Sequence, residues 1–92
     1  MDINYLTATD FPSDYEKMGD KGFSRVNKLL DDSVALIKNQ LKSIDIDYVG
    51  YSSMKSTKDN PIAFVILKNL DRYYIDEQVI KNCRLPKVIK SH

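Results

Sequence analysis

The sequence predicts an α+β fold: a two-layer domain in which one long amphipathic helix packs on a three- or four-stranded, mainly antiparallel sheet. Three observations carry that expectation. Apolar residues recur at three- and four-residue spacing from Val26 to Ile44. The spacing then changes to two, with Ile44, Ile46 and Tyr48 alternating with Asp45 and Asp47. Finally, Ile62 to Leu67 is apolar at every position.

Taken in order, residues 1–12 form a short strand or an extended arm, since Ile3, Tyr5 and Thr7 alternate with Asn4 and Leu6. Ser13 and Glu16 have the spacing of a capping box, with Ser13 as N-cap of one or two helical turns. Gly19 can take the left-handed conformation that ends such a turn. The main helix is expected from Phe23 or Ser24 to Ser43. Its stripe is Val26, Leu29, Leu30, Val34, Ile37, Leu41 and Ile44, widened by Leu36. Its opposite face carries Lys28, Asp31, Asp32, Lys38, Asn39 and Lys42. Twenty residues make a rod of about 30 Å, enough to cross a small sheet.

The alternating segment reads as a half-buried strand, and the change of parity around Gly50 suggests a bulge there. Residues 52–61 are polar and end in Asp59-Asn60-Pro61, which marks a flexible loop. The apolar run after Pro61 suits a central strand covered on both faces. Asn69 to Asp71 can form a turn, Arg72 to Ile75 a third strand, and Asp76 the cap of a short helix through Asn82; the alternative is a helix that starts at Asp71. Beyond Pro86, residues 87–90 can add an edge strand.

A chain of 92 residues accommodates one domain, and 42% hydrophobic residues are enough for a core. A single cysteine, Cys83, excludes an intrachain disulfide and points to a reducing, cytoplasmic location. Met1 to Phe11 lacks the basic start and apolar run of a secretory leader, and no segment is long enough for a membrane span. The net charge is +1, which argues against a strongly basic nucleic-acid binder. The charge is nevertheless uneven, −2 over residues 1–45 and +3 over residues 46–92.

Catalytic chemistry finds few parts. The one histidine, His92, is the last residue, so a hydrolytic triad or a Cys-His pair would rest on a terminal side chain. One Cys and one His do not supply a structural zinc site. Cys83 lies near Lys81 and Arg84, which can activate a thiol, but a lone cysteine is more often a small core residue. Residues 50–57, GYSSMKST, lack the second glycine and the correctly placed lysine of a phosphate loop. Asp45 and Asp47 share a strand face if the strand is regular, but alternating carboxylates are the ordinary pattern of a solvated face. No cofactor or metal is implied, and no enzyme.

What remains is contact chemistry. Six tyrosines are present, with Tyr48, Tyr51, Tyr73 and Tyr74 in expected strands. Tyrosine offers a large contact area with one hydrogen bond. At Tyr73-Tyr74 at most one ring faces the helix. The expected function is therefore a small protein-binding module that uses Tyr51, Lys55, Lys58, Arg72, Tyr73, Tyr74, Arg84 and Lys87. The composition, rich in Lys, Asn, Asp, Ile and Tyr, resembles that of phage or mobile-element accessory proteins that inhibit by occluding a host protein. The alternative is an RNA contact module using Lys55, Lys58, Lys68, Arg72, Lys81, Arg84, Lys87 and Lys90. A homodimer through the C-terminal sheet edge or the wide helix stripe is also expected.

Overall fold

A long helix does pack on a four-stranded sheet, with a short second helix beside it. The structure, a computed structural model, describes residues 1–90, so His92 lies outside the described residues. The elements are β1 (Asp2–Asn4), α1 (Pro12–Gln40), β2 (Ile46–Tyr51), β3 (Ile62–Leu67), β4 (Arg72–Asp76) and α2 (Glu77–Asn82). The sheet order is β1-β2-β3-β4. β2, β3 and β4 are antiparallel neighbours, and β1 runs parallel to β2. A parallel pair needs a long crossover, and α1 is that crossover. Of the first residues only Asp2–Asn4 form a strand, the rest running on as an arm, and the sheet is mixed.

Helix α1 presents Phe23, Val26, Leu29, Leu30, Val34 and Ile37 to the sheet. They meet Ile46, Val49, Ala63, Val65, Leu67, Tyr73 and Ile75 in one core. The helix stops at Gln40, three residues short of expectation. Leu41 and Ile44 continue its apolar spacing in the following turns and still pack on the core. The capping box does not form. The N-cap is Phe11, without a side-chain hydrogen bond, and Pro12 opens the helix, its φ already set for that position. Gly19, at φ 68° and ψ −175°, breaks the helical path, so the short first segment and the long second one meet at a kink.

The arm is fastened through Asn27 on α1. Its amide accepts from the Leu6 backbone N–H at 2.8 Å and donates to the Leu6 carbonyl at 3.0 Å. Leu6 thereby enters the core.

One core position is polar. Ser33 is fully buried on α1, and its hydroxyl has no hydrogen-bond partner among the described residues. A buried hydroxyl without a partner keeps its desolvation cost, and alanine is the better helix former. Ser33→Ala should therefore stabilise the fold by about 1 kcal/mol. Urea unfolding measures this, and a loss of stability would mean that the hydroxyl is bonded.

Candidate interaction surface

Strand register decides which side chains share a face. Val49, Val65 and Tyr73 lie opposite one another across three strands, as do Tyr51, Ala63 and Ile75. These two rows face α1. The rows that alternate with them face away from it. One runs Asp2, Tyr48, Ile66, Arg72, and continues to Ile89 through the antiparallel Arg72–Ile89 bridge. The next runs Asn4, Gly50, Phe64, Tyr74. Ile62 and Asp76 form a third.

The parity that places Tyr48 outward comes from a bulge. Ile46 pairs with Leu67 and Tyr48 with Ile66, so Asp47 is the extra residue. The parity change expected at Gly50 occurs at Asp47 instead. Asp47 binds Lys68 at 3.0 Å. Gly50 has a different purpose. A Cβ there would lie 2.2 Å from the Tyr48 hydroxyl and 2.7 Å from the ring carbon bearing it. The Tyr48 ring therefore lies across Gly50, where only glycine leaves room, and Asn4 Nδ2 donates to its hydroxyl at 3.3 Å.

The result is an aromatic and aliphatic strip on the outer face. Phe64 and Tyr74 pack ring against ring, 5.1 Å between centroids. Lys55, from the β2–β3 loop, stands over the Tyr74 ring with its ammonium 5.2 Å from the ring centre. The loop that delivers it is held by its own bonds. Ser52 N–H donates to the Ile62 carbonyl at 2.9 Å, and Ile62 N–H donates to Ser56 Oγ at 2.8 Å. Tyr48, Ile62, Phe64, Ile66, Arg72 and Tyr74 are all partly exposed. The aromatic and aliphatic ones among them stand apart from the core cluster.

The β3 run reads in sequence as a strand covered on both faces. The structure corrects this, because α1 covers one face and both helices pack on that same side. An antiparallel sheet with one solvated face ordinarily carries polar residues there. Here the central strand offers Ile62, Phe64 and Ile66.

The expected contact residues separate. Tyr74, Lys55 and Arg72 come together on the outer face. Tyr51 packs against the core from the inner face. Tyr73 is 7% exposed on the same side, and burial raises its phenol pKa. Lys58 is exposed in the loop, Arg84 and Lys87 in the C-terminal segment. Arg84 lines a shallow groove with Asp76, Gln78, Val79 and Leu85. Among the further cations of the RNA alternative, Lys68 pairs with Asp47 and Lys90 with Asp71. Cys83 is not a core residue. It is exposed and caps α2 in a left-handed conformation at φ 52°.

Sequence reasoning left Phe64 and Ile66 out of the site, and noted Tyr48 without placing it there. The usable signal was the apolar run at both parities together with too little helix to cover two sheet faces. No group of three or more Cys, His, Asp or Glu that could hold a metal ion occurs among the described residues, and no helix there is long and apolar enough to cross a membrane. No family model matches this chain, and no curated protein or solved structure is significantly similar to it.

Proposed function

We propose that the protein is a small non-enzymatic protein-binding module whose contact surface is the outer face of the sheet. The observation that carries this reading is β3, whose outward side chains Ile62, Phe64 and Ile66 have the character of a covered strand with no helix of the described residues over them. A partner that covers them removes apolar surface from water, and the Phe64–Tyr74 pair supplies rigid contact area at low entropic cost. A module of this size acts by covering part of its partner, as an inhibitor or an accessory factor does.

Charge favours protein over nucleic acid. Across the strands of the outer face Arg72 is accompanied by Asp2 and Asp76, with Lys55 above, so the face has no excess of cations to follow a phosphate backbone.

The test is capture from native lysate with tagged wild type, Tyr74→Ser, Phe64→Ser and the helix-surface variant Lys38→Ser, each with and without nuclease. The expected result is a protein retained by wild type and Lys38→Ser, lost by both face variants, and indifferent to nuclease. Thermal melts of all four proteins separate lost contact from lost fold. Equal capture by wild type and by folded Tyr74→Ser and Phe64→Ser would remove the outer face as the contact surface.

A further inference from the structure

The cations of the described residues differ in how they are satisfied. Arg25 binds Glu77 through two nitrogens, at 2.6 and 2.8 Å, and holds that carboxyl below its ordinary range. Lys28, Lys68 and Lys90 each have a carboxylate within 3.0 Å. Arg72 has none among the described residues. Its Nε–H is buried without an acceptor, although Arg72 sits on the outer face between Ile66 and Ile89.

The nearby acids are already committed. Asp71, its chain neighbour, binds Lys90 at 2.8 Å. Asp76, on the same strand face, accepts from Val79 N–H at 2.9 Å as the cap of α2. A buried donor without an acceptor is costly, and a guanidinium beside aliphatic side chains is a strong site for a planar anion. The two terminal nitrogens of Arg72, which are not buried in this way, can together grip both oxygens of a carboxylate.

We propose that Arg72 is the carboxylate socket of the contact face: the partner segment presents an Asp or Glu side chain to Arg72, flanked by apolar residues that lie on Ile66, Phe64 and Tyr74. This rests on the outer face being the contact surface, and it names the chemistry of what lies there. A carboxylate is preferred to a phosphate because the socket holds one cation, with Asp2 at the far end of the same row.

Two probes of one shape test it on the intact chain, phenylacetate and its neutral counterpart phenylacetamide, with inorganic phosphate as a third. The Arg72 Nε–H resonance of 15N-labelled protein is followed during each titration. Phenylacetate should move it saturably, with an apparent affinity at least about tenfold above that of phenylacetamide, and the effect should vanish in Arg72→Gln. Arg72→Lys, which keeps the charge but not the fork, should retain only a small part of the difference. In the lysate experiment Arg72→Gln should lose the captured protein. Equal response to the acid and the amide would overturn the socket. So would capture by Arg72→Gln equal to wild type while Phe64→Ser captures nothing, a result that leaves the contact face itself standing. Tighter binding of phosphate than of phenylacetate, with nuclease-sensitive capture, would overturn it in favour of a nucleic-acid backbone.

Discussion

Replacing Leu30 with alanine should cost about 3 kcal/mol of folding free energy. Leu30 is fully buried on α1, in the core between helix and sheet. The variant loses the transfer free energy of the missing carbons and the contacts lining the space they leave. Recovery by collapse is limited, because α1 spans β2 and β3 and is anchored through Asn27 and through the Arg25–Glu77 pair. A domain of this size holds roughly 5–15 kcal/mol in all, so the loss is a large fraction of its stability. The midpoint of thermal unfolding should fall by more than about 10 °C. Urea titration is the direct measurement, with a lower midpoint at unchanged slope. Leu70→Ala is the control, because Leu70 is 57% exposed in the turn before β4 and should cost almost nothing. A loss below about 1 kcal/mol for Leu30→Ala would mean that α1 does not lie on the sheet as described.

The same burial explains what was legible in the sequence. A stripe such as Val26, Leu29, Leu30, Val34 and Ile37 has one physical solution, a helix against an apolar surface. β4 was legible as a strand in which at most one of Tyr73 and Tyr74 faces the helix, but which one was not: Tyr73 and Ile75 lie inward and Arg72 and Tyr74 outward. Asp76 was legible as a cap because a short polar side chain before a helical turn has one common use. Such signals are local, so a linear reading finds them.

The contact face was not legible in that way, because it depends on register and on absence. Whether Ile62, Phe64 and Ile66 are covered is decided by where helices go, not by β3 itself. The facing of Tyr48 turns on a single extra residue, Asp47, which a pattern of alternating aspartates conceals. Tyr51 and Tyr74 looked equivalent as tyrosines in strands, yet they lie on opposite faces because each follows the parity of its own strand. Arg72 looked like one basic residue among eight. What sets it apart is the prior commitment of Asp71 and Asp76, which only three-dimensional partners reveal. Cys83 failed as an expected core residue because the αL turn after α2 carries its side chain outward.

Gly19→Ala separates two accounts of the N-terminal helical segment by sign as well as by size. In a continuous helix, alanine for an interior glycine stabilises by about 1 kcal/mol. At Gly19 the opposite is expected, a loss of about 2 kcal/mol. No atom stands within 4 Å of a Cβ built there, so the cost is not a clash. It lies in the backbone, since φ 68° with ψ −175° is open to glycine and strained for alanine. The variant can escape the strain only by straightening the helix. That would swing Phe11, Tyr15 and Met18 away from the core they pack on. It would also separate the Tyr15 and Phe23 rings, now edge to face at 5.4 Å. Gly22 completes the kink, because Met18 Cβ approaches to 2.7 Å of where a Cβ on Gly22 would be. Either route lowers stability, and they differ in one observable. Strain without straightening preserves the Tyr15–Phe23 nuclear Overhauser contacts, and straightening abolishes them. A rise in melting temperature for Gly19→Ala would show that Pro12–Gln40 is one unbroken rod, and the fastening of the first segment to the core would then be wrong.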